Sequence, residues 1–265
     1  MHEFVSFNCN IVSAQDASVS ALSFPALYGK GVFTTVAICD GKPFLWKKHW
    51  RRLEANADKL QINLTEFSES RTKDALSKIV QKNNVTGGRA RITFFDESPS
   101  AIWRFKTTRK ASLLITTGDL RPVPDNFHLT ISPYTVNSLS PLAGVKSCNY
   151  LENLMALDEA KSRGFDEAIQ MNERGEVTSA SIANVFWVKD GALQTPSLKT
   201  GCLPGTTREF VLENLECREV EASIDEINEA DTIFLTSAGL GVVAVNEFDG
   251  RKLTVGDFPI TNLLS

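Results

Sequence analysis

Apolar positions in the first half of the chain follow patterns that predict short strands and two helices. Residues 32–39 are mostly β-branched or aromatic, and Asp40-Gly41 is a hairpin signal that leads into a second apolar run at 43–46. The segment 48–60 predicts a helix. Its apolar stripe consists of Leu53, Ala57 and Leu60. The other elements predicted here are a helix over 66–82 and strands over 89–95 and 111–117.

A proline-containing stretch, 118–126, separates this half from a second interleaved series of elements. It predicts two domains, 1–119 and 120–265. The helix predicted over 149–163 is amphipathic and is expected to turn Leu151, Leu154, Met155 and Leu157 toward a core. The other predicted elements are strands over 127–133, 167–171, 176–188 (broken around 179–183) and 232–235, a short strand after the turn 189–191, and a helix that opens near Gly205. This alternation favours an α/β or α+β fold, with a small N-terminal α/β domain and a larger β-rich C-terminal domain.

Composition and charge exclude several classes of function. The 265 residues are 42% hydrophobic and 23% charged, with a net charge of −4, so the chain lacks the basic surface of a general nucleic-acid or anionic-membrane binder. No apolar stretch approaches the roughly 20 residues of a membrane span, and no secretory signal is visible. Five dispersed cysteines predict reduced thiols in the cytoplasm, and three scattered histidines predict no metal site.

Lys146 is an unusual lysine because small and apolar residues frame it in the sequence Ala143-Gly144-Val145-Lys146-Ser147-Cys148. Lysines prefer solvated positions, and a desolvated lysine has a lowered pKa and can form an imine with an aldehyde. The plainer alternative is a lysine at a helix start whose ammonium reaches the solvent.

Two further segments are candidate ligand sites. Gly201 to Arg208 is a glycine-containing loop that runs into a helix, and its first-turn N–H groups and two threonine hydroxyls could hold a phosphate. A capped helix without a ligand is the alternative. Phe234 to Gly241 is a strand followed by a turn of small residues, which allows the backbone to approach a ligand closely, although a plain tight turn explains it equally.

These pieces, in this order, resemble the class IV aminotransferases, which are pyridoxal 5′-phosphate (PLP) enzymes of fold type IV. That family includes branched-chain and D-amino-acid aminotransferases and aminodeoxychorismate lyase. The resemblance covers nearly the whole chain. The segments that carry it are Tyr28–Thr35, His49–Leu53, Lys146 through Asn184-Val185-Phe186, Leu203–Arg208 and Phe234–Val245.

The resemblance implies roles for several residues by position. Lys146 would hold the cofactor as an imine and move the proton at the substrate carbon, Arg52 would grip the phosphate with its guanidinium, and Tyr150 would hydrogen-bond the phenolic oxygen. The residues that match the rest of the phosphate site are Thr206, Thr207, Ser237 and Ala238. It also implies a homodimer, with PLP bound between the two domains of each chain.

Two positions depart from the family pattern. Relatives usually carry a glutamate that keeps the pyridine nitrogen protonated, and Ser179 stands there in this chain. Glu176 would lie on the opposite face of a regular strand unless a bulge intervenes. The usual acidic residue after the phenylalanine of the first motif is Thr34. We therefore expect a neutral pyridine nitrogen, which handicaps a transaminase more than a lyase that expels a leaving group at once.

Arg89 and Arg91 alternate on a predicted strand, so both can face a substrate carboxylate, and Arg91 matches the family pattern better. Surface charges are the alternative. Trp103-Arg104 is a weaker candidate for contact with the substrate.

The expected function is that of a PLP enzyme acting on an amino-acid or amino-carboxylate substrate, most like aminodeoxychorismate lyase, which serves 4-aminobenzoate and folate synthesis. Two alternatives remain open: an amino-acid aminotransferase, and a PLP-binding relative with little or no catalysis because of Ser179.

Overall fold

The computed structural model describes residues 1–98, 111–256 and 258–263, and the chain forms two compact units. The first unit contains Met1–Leu120 together with Val145–Asn149, and the second contains Arg121–Gly144 and Tyr150–Ser265. The assignment of domains to 1–119 and 120–265 stays a prediction. Val145–Asn149, which that prediction included in the C-terminal domain, makes its contacts in the first unit.

The first unit is built on an antiparallel six-stranded sheet in the order β2-β1-β6-β5-β3-β4. Its apolar cluster contains Leu53, Leu76, Ile79 and Ile92, which are all 0% exposed. The strands are β1 (Phe4–Phe7), β2 (Asn10–Ser13), β3 (Gly31–Cys39), β4 (Lys42–Pro43), β5 (Gly88–Asp96) and β6 (Ala111–Gly118). The helices are α1 (Phe24–Tyr28), α2 (Trp46–Lys59) and α3 (Glu69–Lys82).

The second unit contains two five-stranded sheets, ordered β16-β15-β7-β8-β9 and β12-β11-β10-β13-β14. The strands are β7 (His128–Val136), β8 (Glu167–Asn172), β9 (Val177–Ala180), β10 (Asn184–Lys189), β11 (Ala192–Pro196), β12 (Arg218–Val220), β13 (Thr232–Ser237), β14 (Gly241–Ala244), β15 (Glu247–Phe248) and β16 (Arg251–Lys252). The helices are α4 (Leu151–Ser162), α5 (Thr206–Asn214), α6 (Ile224–Asn228) and α7 (Pro259–Asn262), with a 3₁₀ turn at Leu198–Thr200.

The orientation of α4 is predicted wrongly for three of its four apolar residues, whereas Leu157 is buried as expected. Leu151, Leu154 and Met155 were expected in a core but are 68%, 45% and 48% exposed. The face of α4 that is buried carries Ala156, Leu157 and Ala160, at most 6% exposed, and α4 packs on β7 and β8. Small alanines let the helix lie close to the sheet, so the larger apolar side chains of its first turns are left on the surface.

Val145–Asn149 covers an open edge of β3. Because β4 pairs only with Ile38 and Cys39, no strand among the described residues lies beside the start of β3 on that side. The segment Val145–Asn149 takes the position of a neighbouring strand there. Phe33 N–H donates to the Lys146 carbonyl at 3.0 Å, and Cys148 N–H donates to the Gly31 carbonyl at 2.8 Å. This pairing fixes the backbone of Lys146.

Gly31 is the residue that permits this close approach. A Cβ at Gly31 would lie 2.9 Å from Cys148 Sγ and 3.0 Å from the Phe94 carbonyl oxygen, and both distances require neighbouring atoms to move. The close packing of β3 against Val145–Asn149 (the lysine segment) therefore requires a residue without a side chain at position 31.

We expect Gly31→Ala to lower the free energy of unfolding by about 1–3 kcal/mol, because overpacking displaces the lysine segment from β3. Gly87→Ala is the matched control, since a Cβ at Gly87 meets nothing within 4 Å. Urea denaturation of both variants measures the difference. Equal stabilities would contradict the proposed close packing.

Candidate active site

Lys146 lies in a cluster of cationic side chains in the first unit. Its Nζ is 4.7 Å from the centroid of the Phe33 ring, and the Arg91 guanidinium carbon is 3.5 Å from the centroid of the same ring. Part of the Lys146 side chain remains accessible, but protein atoms surround its ammonium. Burial, followed by the positive charges of Arg52 and Arg91, lowers the pKa of Lys146 to about 7. A large part of the Lys146 population is therefore a neutral amine, which is the nucleophilic form.

Thr34 connects Arg52 to His49. Arg52 Nη2 donates to Thr34 Oγ1 at 2.8 Å, and Thr34 Oγ1 lies 2.7 Å from His49 Nδ1. Burial and the neighbouring charges of Arg52 and Lys146 lower the pKa of His49 to about 3, so this histidine is neutral at physiological pH. The threonine that replaces the usual acidic residue thus orients the Arg52 guanidinium without bringing a negative charge to it.

Arg89 and Arg91 share a face of β5 but differ in what they contact. Arg91 lies opposite Thr35 in the register with β3, contacts the Phe33 ring, and donates from Nε to Thr93 Oγ1 at 3.3 Å. Arg89 is exposed and lies one pleat farther on, opposite Ala37. The structure therefore brings Arg91 to Lys146, whereas Arg89 remains at the surface. Trp103-Arg104 lies outside the described residues.

In the second unit, Asn184 ties together the start of β10, the loop before α5 and the end of β13. Asn184 Nδ2 donates to the Leu203 carbonyl at 2.9 Å, and Asn184 pairs with Thr236 across β10 and β13. A Cβ on Gly205 would overlap Asn184 Oδ1, so glycine is required there. The Asn184 side chain and its strand pairing thus bring the start of α5 close to the end of β13, and these two places carry the predicted phosphate-binding residues.

Each predicted anion-binding residue has a defined place in this arrangement. Thr206 and Thr207, 4% and 5% exposed, open α5 behind its N-cap Gly205. Ser237 Oγ accepts the N–H groups of Gly239 and Leu240 at 3.3 and 3.2 Å, which shapes the turn that includes Ala238. Arg208 points elsewhere, since it donates to the Pro196 carbonyl at 2.8 Å and pairs with Glu219.

Ser179 lies on β9, and Tyr150 is the residue just before α4. The register of β9 with β8 shifts between Gln170↔Ser179 and Met171↔Val177, so a bulge does occur before Ser179. Glu176 lies just before β9, and its carboxylate is already engaged: it accepts from Arg174 Nη2 at 2.6 Å and from Asn172 Nδ2 at 2.7 Å. Arg174 and then Asn172 lower the pKa of Glu176, which is a charged partner of Arg174.

His49 and Asn184 lie in the family motifs of the sequence, but no role was predicted for either residue by itself. His49 precedes Arg52 by three residues, so the helical period places both on one face of α2, and this spacing could have indicated the pair. Asn184 gave no such signal, because its contacts depend on long-range pairing.

Other possible sites are limited. Within the described ranges, no group of three His, Cys, Asp or Glu side chains could hold a metal ion. In the same ranges, no helix is both long and apolar enough to cross a membrane. A cavity of about 530 Å³ in the second unit is lined by residues such as Val188, Leu193 and Phe258 and includes none of the predicted site residues.

Comparison with known proteins agrees with the family resemblance. Residues 31–248 match the family described as amino-transferase class IV. The chain is 30% identical over 251 residues to the aminodeoxychorismate lyase of Bacillus subtilis (strain 168), covering 91% of this chain and 85% of that protein.

Solved structures give the same result for the fold. A branched-chain aminotransferase from Thermoproteus uzoniensis, with norvaline, superposes with a TM-score of 0.90 at 25% identity, covering 98% of this chain and 92% of that one. A branched-chain aminotransferase from T.th. with pyridoxamine 5′-phosphate gives 0.87 at 24% identity, with 98% and 91% coverage. The predicted family and fold class are confirmed.

We predict that Lys146 becomes reactive at an unusually low pH. Competitive labelling with an amine-specific reagent, read by mass spectrometry, should give a midpoint near pH 7 for this residue, against about 10.4 for an ordinary lysine. Arg91→Gln should raise the midpoint, because it removes a positive charge that disfavours the ammonium, and Arg89→Gln should leave it unchanged. A wild-type midpoint near 10 would contradict the environment described.

The protein belongs to the class IV aminotransferases.

Proposed function

We propose that the protein is a PLP-dependent enzyme acting on an amino-acid or amino-carboxylate substrate. The observation that carries the proposal is Lys146, whose pKa is lowered to about 7 by burial and by Arg52 and Arg91. A lysine of this kind is suited to imine chemistry with an aldehyde. The class IV family to which the chain belongs supports the same conclusion.

The residues present fit PLP. When bound, the cofactor supplies an aldehyde that captures amines and a ring that stabilises negative charge on the substrate carbon. Lys146 provides the amine for the aldehyde. Arg52, with its guanidinium oriented by Thr34, and the start of α5, where Gly205 makes room for Asn184, are suited to the phosphate.

The remaining predicted contacts follow the family pattern and belong to the same proposal. Ser237 and Ala238 would complete the phosphate side, Tyr150 would hydrogen-bond the phenolic oxygen, and Ser179 would lie at the ring nitrogen. The T.th. enzyme with pyridoxamine 5′-phosphate, which shares the fold, is consistent with a site of this type.

Lys146 also moves the proton. With cofactor and substrate bound, neutral Lys146 would be the base that removes a proton from the substrate carbon. With a pKa near 7 it can accept that proton and later return it without a large energetic penalty in either direction. His49 is neutral and buried, so we assign it to holding Thr34 and Arg52 rather than to proton transfer.

Arg91 is the proposed carboxylate-binding residue. Arg91 is exposed and its guanidinium carbon lies 3.5 Å from the centroid of the Phe33 ring, and a guanidinium is the group best suited to bind a carboxylate. Because Lys146 lies on the same ring, a carboxylate bound by Arg91 would place the substrate amine near the lysine. Arg89 is a secondary candidate, since it shares the face of β5 but lies farther along it.

We favour an aminodeoxychorismate lyase-like reaction over transamination. Ser179 cannot balance a full positive charge on the ring nitrogen, and Glu176 is committed to Arg174. A lyase, which expels a leaving group at once, depends less on long-lived stabilisation of the carbanion. The relative from Bacillus subtilis is consistent with this choice.

An amino-acid aminotransferase of the D-amino-acid or branched-chain type is the alternative, and the fold of the Thermoproteus enzyme supports it equally. A PLP-binding relative with little catalysis is a further alternative, against which the reactive environment of Lys146 argues.

We also propose a homodimer. The first turns of α4 expose Leu151, Leu154 and Met155, which together form an apolar surface of a kind that mostly marks protein contacts. A second copy of the chain is the proposed occupant, because the family resemblance implies a homodimer.

A cytoplasmic location completes the proposal and is consistent with five cysteines that are all free thiols.

Reconstitution with PLP tests the function. We expect pyruvate and 4-aminobenzoate from aminodeoxychorismate at a higher rate than keto acid from D-alanine or a branched-chain amino acid. Lys146→Arg should lower either rate by about 10²–10⁴-fold, because it removes the proton-transferring amine. Lys252→Arg, an exposed lysine outside the site, is the control. A faster transamination would select the aminotransferase alternative, and no turnover despite bound PLP would select the non-catalytic one.

The dimer is tested by sedimentation equilibrium. A mass near twice 29.2 kDa is expected for the wild type. Leu154→Glu combined with Met155→Glu should shift the population toward monomer, because it places two charges in an apolar contact. Lys161→Glu, on the exposed end of the same helix, should not. A monomeric wild type would overturn the dimer while leaving the enzymatic proposal intact.

A further inference from the structure

Glu167 is a buried carboxylate that the site described so far does not use. It lies at the start of β8 and is 0% exposed. Its Oε1 accepts the N–H groups of Ala168 at 3.1 Å and Ser181 at 3.0 Å. Its Oε2 accepts the N–H of Ile182 at 3.3 Å. Both oxygens of the carboxylate are therefore directed at the backbone.

This carboxylate is held in the interior at a cost in stability. Burial raises the pKa of Glu167, and the hydrogen bonds from Ser181 and the backbone, with the charge of Arg121, offset that rise only in part. A carboxyl whose pKa is raised by folding destabilises the folded state at a pH above that value, because its charged form is better solvated in the unfolded chain. The carboxylate thus serves the backbone groups that it binds rather than the apolar core around it.

The backbone that Glu167 binds is the connection between β9 and β10, residues 181–183 (the β9–β10 connection). These residues belong to neither strand, so their N–H groups need partners outside a regular ladder. Asn153 of α4 holds the same connection, since its Nδ2 donates to the Ser181 carbonyl at 2.7 Å. Ser181 is thus bound at both its N–H and its carbonyl.

The β9–β10 connection joins two residues of the proposed cofactor site. Ser179, proposed at the ring nitrogen, lies on β9 two residues before Ser181. Asn184, whose amide holds the loop before α5, is the first residue of β10 and follows Ile182 by two residues. Because the connection is so short, a change in its backbone displaces one or both of these positions. It therefore sets the spacing between the ring end and the phosphate end of the site.

We infer that Glu167, together with Asn153, is a positioning residue for PLP, because it fixes the β9–β10 connection that carries Ser179 on one side and Asn184 on the other. The inference rests on the proposed function. Both positioning residues act through the connection, and neither is assigned a contact with the cofactor or the substrate.

The three N–H groups explain why a carboxylate stands at position 167. An ionised carboxylate only accepts hydrogen bonds, and it does so with both oxygens. A glutamine has the same shape but offers one oxygen, and its NH₂ group would face at least one of the backbone N–H donors. Glu167→Gln therefore removes the acceptor with little change in volume.

The test compares Glu167→Gln with the wild type, both as full-length protein. In the apo protein we expect faster hydrogen exchange in peptides that cover 181–183, read by mass spectrometry. The PLP dissociation constant should rise about tenfold, because the cofactor must select the fraction of molecules in which the connection is in place. The nitrogen-15 signal of ring-labelled PLP and the phosphorus-31 signal of its phosphate should both move, since the connection links both ends of the site.

Asp166→Asn is the matched control, because it makes the same chemical change at the preceding residue. The Asp166 carboxylate accepts the His128 N–H at 2.8 Å and so holds β7 rather than the β9–β10 connection. Whatever its effect on stability, this variant should leave the exchange at 181–183, the dissociation constant and both signals unchanged.

Asn153→Ala removes the other bond to the β9–β10 connection and replaces a helical residue by the best helix former. It should change the exchange, the dissociation constant and the signals in the same direction as Glu167→Gln, to a smaller extent. It is the deciding variant if the glutamine variant does not fold.

A merely structural role for Glu167 would lower the free energy of unfolding and leave the dissociation constant and both signals at their wild-type values. That result, in Glu167→Gln or in Asn153→Ala as the deciding variant, overturns the inference. It would not touch the proposed function, which fails separately if PLP does not become attached to Lys146 in the wild type.

Discussion

Two backbone hydrogen bonds hold Lys146 against β3, and the chemistry assigned to this protein depends on them. Phe33 N–H donates to the carbonyl of Lys146, and Cys148 N–H donates to the carbonyl of Gly31. The lysine is thereby attached to the central sheet of the first unit, although a long stretch of sequence separates it from β3. Its ammonium consequently shares the Phe33 ring with Arg91.

The electrostatics follow from that placement. Arg52 comes from α2, Arg91 from β5 and Lys146 from the segment along β3, so three elements bring three cationic side chains together. Burial and the repulsion from Arg52 and Arg91 lower the pKa of Lys146. The two arginines stay charged, because a guanidinium does not lose its proton in proteins. The same concentration of positive charge suits a phosphate and a carboxylate, the two anions that the proposed cofactor and substrate bring. One arrangement thus makes the amine nucleophilic and attracts its reaction partners.

Much of this could be predicted from the sequence, because the chemistry lies in short ordered motifs. The segment around Lys146, the arginine on the helix after the first hairpin and the glycine-containing start of α5 are local patterns. The choice of Arg91 over Arg89 could not be made from alternation alone, since both lie on one face of β5 and only the contact with Phe33 separates them. The orientation of α4 was predicted wrongly for Leu151, Leu154 and Met155, because the spacing of apolar residues alone does not show which side of the helix meets the sheet. The helix instead buries Ala156, Leu157 and Ala160.

The most direct test of the account is chemical trapping at the lysine. The purified protein is incubated with PLP, reduced with borohydride and digested, and the modified peptide is mapped by mass spectrometry. The account predicts one stoichiometric phosphopyridoxyl adduct, on Lys146. An adduct on another lysine, or no adduct at all, would contradict it.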